Sequence, residues 1–143
     1  MAYVQDIGFT DDDAFYIGDD KVLSFRVWSG TAAEIEAGTA TPMDVTGQSF
    51  AWALKRNADL EEELIQKATG GEGITITGAY NADRALNTQR VEVQIDRADT
   101  YDDDTPAVVV RRGRYVHALR RTDTGFSGIV TEGKFKVRSA AAE

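Results

Sequence analysis

Residues 21–28 read Lys-Val-Leu-Ser-Phe-Arg-Val-Trp. Leu23, Phe25 and Val27 alternate with more polar residues, and this period of two is typical of a β-strand with one buried face. Trp28 falls on the face opposite Phe25. We therefore expect Trp28 either to lie under a covering loop or to anchor an interface with a partner.

Three later segments repeat the alternation, at residues 48–56, 90–95 and 114–121. Each places every second side chain on one face, and strands that share an inward apolar face can form a common core. The predicted core positions are Leu23, Phe25, Val27, Phe50, Trp52, Leu54, Val91, Val93, Ile95, Tyr115 and Leu119.

The whole pattern predicts about eight or nine short strands separated by turns, and no long amphipathic helix. Such a pattern favours an all-β, antiparallel sandwich and disfavours parallel architectures, which need helical crossovers. We predict an N-terminal arm over residues 1–13, a single domain over residues 14–138 and a frayed end over residues 139–143.

Several local features refine this prediction. Residues 44–47, Asp-Val-Thr-Gly, predict a compact turn, and Gly113-Arg114-Tyr115 is typical of a tyrosine corner at the head of a late strand. Residues 29–42 are interpreted as an inserted loop that could hold one turn of helix. Residues 96–106 are interpreted as a turn or a single helical turn. The acidic residues 59–63 either lead into a strand over 64–69 or are helical.

The composition is that of an ordinary globular domain. The chain has 143 residues, of which 42% are hydrophobic and 28% charged, and this suits one compact core. It has no cysteine, which excludes disulfides and thiolate metal sites. No apolar run reaches the roughly 18–20 residues that span a membrane, and the first residues lack a signal-peptide pattern. We expect a fold that depends on packing alone.

Charge is unevenly distributed along the chain, whose net charge is −8. The first twenty residues hold six aspartates and no lysine or arginine, whereas residues 107–138 hold eight basic and two acidic residues. The negative total argues against nucleic acid as a partner, and the C-terminal arginines are not interleaved with aromatic residues suited to stacking on bases. The acidic and basic ends could attract each other within one subunit or between neighbours.

Catalytic motifs are not evident. His117 is the single histidine and shares a strand face with Tyr115 and Leu119, so packing is favoured over catalysis. Residues 70–73, Gly-Gly-Glu-Gly, lack the Lys and Ser/Thr of a phosphate-binding loop and predict a turn. We therefore predict a protein that is not an enzyme and has no cofactor.

Two acidic runs, residues 11–13 and 102–104, could supply oxygen ligands to a calcium ion. Neither run has the alternating spacing of an EF-hand loop, and acidic loops are usually just solvated. We predict no metal site and keep calcium binding by these loops as an open alternative.

The order of several short motifs resembles a known family. The motifs are Gly-Asp-Asp (18–20) before the first strand, Asp-Val-Thr-Gly (44–47), a strand ending in Lys-Arg (50–56), Val-Glu-Val-Gln-Ile (91–95), Asp-Thr (99–100), Gly-Arg-Tyr-Val-His-Ala-Leu (113–119) and Gly-Lys-Phe-Lys-Val (133–137). In this order they resemble the N-terminal domain of phage baseplate upper proteins and the related stand-alone immunoglobulin-like proteins encoded among phage structural genes. The resemblance covers residues 15–137 and departs from the pattern at residues 29–42 and 101–112.

The resemblance implies an immunoglobulin-like β-sandwich that serves as a structural protein of the virion, attached to the tail, baseplate or neck. It implies other virion proteins as partners, a symmetric multi-copy assembly, and localisation in the virion after synthesis in the host cytoplasm. Two alternatives stay open. One is a capsid decoration protein, and the other is a carbohydrate-binding module with exposed aromatics such as Trp28, Tyr80 or Tyr101.

The candidate interface residues are Trp28, Arg111, Arg112, Arg120 and Arg121. We expect Arg120, Arg121 and Lys134 to line an outward strand face or edge, where charge discourages unwanted pairing and can dock an acidic neighbour. The arm, residues 1–13, could add a strand to a neighbour's sheet edge. Its deletion is then expected to leave a folded monomer that no longer assembles.

Overall fold

The computed structural model describes residues 3–7, 14–56, 62–102, 107–108, 110, 112–123 and 128–138. The strands are β1 (Tyr3–Ile7), β2 (Ala14–Tyr16), β3 (Lys21–Ser29), β4 (Thr41–Pro42), β5 (Phe50–Lys55), β6 (Ile65–Ala68), β7 (Ile74–Thr77), β8 (Arg90–Ile95), β9 (Tyr101–Asp102), β10 (Ala107–Val108), β11 (Gly113–Arg121) and β12 (Gly128–Arg138). The helices are α1 (Ala32–Ala37) and α2 (Arg97–Thr100).

Eight strands of four or more residues form two sheets, with four of these strands in each sheet. Sheet A has the order β1-β3-β8-β7, and β4 pairs with the end of β3. Sheet B has the order β12-β11-β5-β6, and the short β2 extends it by pairing in parallel with β12. The fold is therefore the predicted all-β sandwich, and its strand order is that of immunoglobulin domains.

The core lies between the sheets and follows from the alternation in the sequence. Along β5 and β8 every second residue is buried. All eleven predicted core positions belong to one hydrophobic cluster, in which none is more than 7% exposed. The sequence analysis did not assign five further members of the cluster: Val45, Ile65, Ile74, Val110 and Val137.

A buried glutamine fixes the turn predicted at residues 44–47. The Gln89 side-chain oxygen accepts a hydrogen bond from the Val45 backbone N–H at 2.9 Å, and its amide nitrogen donates to Thr46 Oγ1 at 2.9 Å and to Asp44 Oδ1 at 3.2 Å. Gly47 then takes a positive φ of 76°, which glycine adopts without strain. The turn is thereby joined to the start of β8.

Residues 29–42 contain more regular structure than an inserted loop. The predicted helical turn is present as α1, which begins at a capping box between Thr31 and Glu34 and ends at Gly38. The chain then pairs back onto β3 through β4. A single helical turn, α2, is also present within residues 96–106, and β6 lies within the predicted strand over 64–69. Residues 57–61 lie outside the described residues, so the choice between helix and lead-in there stays a prediction.

The predicted N-terminal arm is partly a strand of the sandwich. Tyr3–Ile7 forms β1, which pairs antiparallel with β3 from Tyr3 opposite Ser29 to Ile7 opposite Phe25. This pairing corrects the boundary at residue 13, because the hydrogen bonds of β1 belong to sheet A. Residues 8–13 and the predicted frayed end, residues 139–143, lie outside the described residues.

Candidate docking surface

The outer face of sheet B carries a group of basic side chains placed by the register of three strands. Arg114 lies opposite Lys136 of β12, and Val116 lies opposite Lys55 of β5. Arg120 lies four residues beyond Val116 along β11 and therefore shares this face. Arg114 and Arg120 are exposed, and Lys55 and Lys136 are partly buried. We call Lys55, Arg114, Arg120 and Lys136 the basic face.

Small residues lie between these charges. Ala118 pairs with Ala53, and Ala51 lies opposite Arg120, so β5 and β11 place methyl groups between the charges of the basic face. These alanines are partly buried. These short side chains make a nearly flat surface onto which another protein could pack closely, with charged side chains around its centre.

Trp28 does not belong to this surface. It lies on the outer face of sheet A and is only 3% exposed. The guanidinium carbons of Arg26 and Arg84 each lie 5.4 Å from the centre of its ring system, at cation–π distance. The structure therefore corrects the interface assignment of Trp28 and supports the covering-loop alternative, since Arg84 belongs to the loop between β7 and β8.

Arg121 has an internal partner. Its Nε and Nη2 atoms donate to Asp123 Oδ2 at 3.0 and 2.7 Å, and Asp123 Oδ1 accepts from the Ser49 backbone N–H. The hydrogen bonds from Arg121 hold the pKa of Asp123 below its usual value. Arg121 thus joins the end of β11 to the start of β5, and its assignment as a docking residue stays a prediction. Of the other candidates, Arg112 and Arg120 are exposed, and Arg111 lies outside the described residues.

His117 lies in the core, as its strand face predicted. Its Nδ1 atom accepts a hydrogen bond from Trp52 Nε1 at 3.0 Å, and its ring lies 5.9 Å from the Trp52 ring and 6.3 Å from the Phe25 ring. Burial lowers the pKa of His117 to about 4, so the ring is neutral at physiological pH. A neutral imidazole enclosed by two aromatic rings has no access to a substrate.

Among the described residues, no group of three or more His, Cys, Asp or Glu side chains could hold a metal ion. The Gly-rich residues 70–73 connect β6 to β7, as a turn would. The acidic run 11–13 and most of the run 102–104 lie outside the described residues, so calcium binding there stays an untested alternative.

An open groove of about 470 Å³ runs beside β7. The turn residues Gly47, Gln48 and Ser49 line it together with residues 69–71 and 74–76. Gln48 Oε1 is buried and has no hydrogen-bond partner among the described residues. The groove offers a sheet edge and a spare acceptor, which suits a polypeptide more than a compact ligand.

The aromatic residues proposed for sugar stacking are not free platforms. Trp28 is covered, the Tyr80 hydroxyl donates to the Pro42 carbonyl at 3.0 Å, and Arg97 lies over the Tyr101 ring at 4.8 Å. Neither described helix has the length and apolar character that a bilayer crossing requires. In comparisons with known proteins, the chain matches no protein-family model and no curated protein.

Proposed function

We propose that this chain is a non-enzymatic structural protein of a phage virion, an immunoglobulin-like adaptor that binds acidic neighbouring proteins through the basic face of sheet B. The single observation that carries the docking role is the concentration of Lys55, Arg114, Arg120 and Lys136 on one sheet face of a chain whose net charge is −8. The virion context rests on the order of sequence motifs described above.

The chemistry of the basic face favours protein over nucleic acid as the partner. Methyl groups fill its centre, so a flat protein surface can exclude water there while charges at the periphery set the orientation. Nucleic acid would bring phosphates close to the acidic remainder of the chain, and the described outward side chains of β5 and β11 include no aromatic residue for base stacking. Acidic virion proteins are the partners that fit both features.

Attachment to the tail, baseplate or neck is the proposed location, and a symmetric multi-copy arrangement is the proposed assembly. Capsid decoration is the alternative location, and it uses the same surface. A carbohydrate-binding role is less well supported, because Trp28, the aromatic residue it most depends on, is buried beneath Arg26 and Arg84.

The test is incorporation of a charge-reversed variant into particles. We expect Arg114→Glu with Arg120→Glu to remain folded, because both side chains are exposed, and to be lost from purified particles in an immunoblot. A matched control is Arg114→Lys with Arg120→Lys, which alters the same two exposed positions and keeps both positive charges.

Incorporation of the double variant at the wild-type level would contradict the docking role of the basic face. Absence of the wild-type protein from particles would contradict the virion role itself. Binding of the wild type to a purified acidic partner should also weaken as salt is raised, since exposed charges are screened.

A further inference from the structure

Strand β7 has an unpaired side. It pairs antiparallel with β8, and the Gln94 N–H donates to the Gly73 carbonyl at 2.8 Å, which identifies Gly73 and Gln94 as a hydrogen-bonded pair. Such pairs alternate along antiparallel strands, so Thr75 and Thr77 bond to β8 while the backbone groups of Ile76 point away from it. Ala68 of β6 forms a single parallel bridge with Gly73, just before β7, and no described strand pairs with Ile76 on that side.

This edge lacks the protection that the described edges of sheet B have. Strand β6 contains Lys67, and β2 is only three residues long. Charged residues and short length are the usual means of preventing edge-to-edge pairing. Strand β7 reads Ile-Thr-Ile-Thr, with no charge, no proline and residues that favour β-structure.

The surroundings of the edge leave room for another backbone. The groove beside β7 is open, and its glycines at positions 47, 70 and 71 have no other residue's atoms within 4 Å of the place where a Cβ would stand. An approaching strand would therefore meet no bulky side chain at these three positions. Thr75 is exposed and Ile76 partly buried, so the edge can be reached from solvent.

We propose that β7 pairs with β7 of a second copy of this chain, antiparallel and about a twofold axis at Ile76. The Ile76 N–H of each copy donates to the Ile76 carbonyl of the other. Thr75 then lies opposite Thr77 of the second copy, and the two isoleucines lie side by side. Sheet A becomes continuous across the two molecules.

A second copy is the occupant that the edge itself specifies. The strand is self-complementary about this axis, because Ile76 meets Ile76 and Thr75 meets Thr77 of the second copy. The uncharged strand brings no like charges together, whereas the basic face of one copy would repel the basic face of another. The contact is short, so its affinity is low in solution and rises where copies are held close together. It is independent of the proposed role in a virion.

The chain contains no cysteine, so a single introduced cysteine reports contact between copies. Hydrogen-bonded antiparallel pairs have a Cα separation of about 5.5 Å, which suits a disulfide. We expect Ile76→Cys to form a covalent dimer under mild oxidation at least ten times faster than Ser24→Cys, an exposed control within the same sheet. Equal rates for the two variants would overturn the proposal.

Mixing variants tests the register. Thr75→Cys and Thr77→Cys should cross-link mainly with each other when mixed, and slowly when each is alone, because position 75 lies opposite position 77 of the second copy. Self-cross-linking of Thr75→Cys that is as fast as that of the mixture would overturn the twofold axis at Ile76.

Sedimentation measures the same contact without a cross-link. Ile76→Pro removes the N–H that points outward and leaves the bonds of Thr75 and Thr77 to β8 in place. We expect it to raise the dimer Kd by roughly tenfold or more, since two hydrogen bonds across the axis are lost. A wild-type protein that stays monomeric at high concentration, together with no cross-link at position 76, would overturn the proposal even if Ile76→Pro were poorly folded.

Discussion

His117 lies between the two sheets, at a position where immunoglobulin domains have a cross-link that braces one sheet against the other. In antibody domains a disulfide joins the strands equivalent to β3 and β11, and a tryptophan from the strand equivalent to β5 packs against it. A tyrosine precedes the second cysteine of this disulfide by two residues. Here Phe25 and His117 occupy β3 and β11, Trp52 comes from β5, and Tyr115 precedes His117 by two residues. The contacts of His117 with the rings of Phe25 and Trp52, and its hydrogen bond from Trp52 Nε1, take the place of the covalent bond.

The buried imidazole predicts a loss of stability in acid. The unfolded histidine binds a proton near pH 6.5, whereas the folded one resists protonation until about pH 4. The unfolded state therefore binds more protons between these values, and the free energy of unfolding falls as the pH falls through them. We expect a loss of about 3 kcal/mol between pH 7 and pH 4, measured by urea unfolding.

His117→Gln is the control for this pH dependence. A glutamine amide oxygen can accept the hydrogen bond from Trp52 and does not titrate, so the variant should be less sensitive to pH between 6.5 and 4. Asp44 and Asp123 have lowered pKa values, so the stability they add is lost only at more acidic pH. An unchanged slope in His117→Gln would show that another group carries the effect.

At the scale of single elements, the turn after β7 depends on one glycine. Gly78 has a φ of +75°, and a Cβ at this position would lie 2.1 Å from the Thr88 carbonyl oxygen. The two segments are held at this separation by hydrogen bonds between residues 79 and 88. The close approach lets the chain reverse between β7 and β8.

Gly78→Ala should therefore be strongly destabilising. Strain in the backbone and the clash with Thr88 together should lower the free energy of unfolding by about 3 kcal/mol. Gly47→Ala is a matched control, because Gly47 has a similar φ of +76° but has nothing within 4 Å of the added Cβ, so about 1 kcal/mol is expected. Equal losses in chemical denaturation would show that φ alone decides the effect.

The first strand gives a second prediction at this scale. Because β1 forms five pairs with β3, deletion of residues 1–7 should expose the edge of β3 and lower the free energy of unfolding by about 3 kcal/mol or more. Deletion of residues 139–143, the predicted frayed end, should leave it unchanged. An unaltered urea midpoint after removal of residues 1–7 would restore the interpretation of this segment as a separate arm.

For the whole molecule, the sequence predicts burial best where a single segment contains the full alternation of apolar and polar residues. The alternation at Phe50, Trp52 and Leu54 is visible within six residues, and these side chains are buried. An isolated apolar residue in a polar turn, such as Val45, gave no such signal, although it joins the core. Strand β1 was missed because its partner, β3, is distant in sequence and because Tyr3–Ile7 lacks clear alternation.

The surface was harder to predict, because each side chain depends on residues elsewhere in the chain. Trp28 is covered by Arg84, which is 56 positions away in sequence. Arg120 and Arg121 are adjacent in sequence, but one is exposed and the other is paired with Asp123. Lys55 joins the basic face through the register of β5 with β11. The sequence indicated that a basic surface exists, and the strand register decides which residues form it.

The brace formed by Phe25, Trp52 and His117 also determines the conditions in which the chain can fold. A disulfide between sheets forms slowly, over seconds to hours, and needs an oxidising compartment. Here the inter-sheet contact forms as soon as three side chains meet, so folding can finish in a reducing environment without an oxidant or an isomerase. A reductant such as dithiothreitol should accordingly leave the melting temperature unchanged.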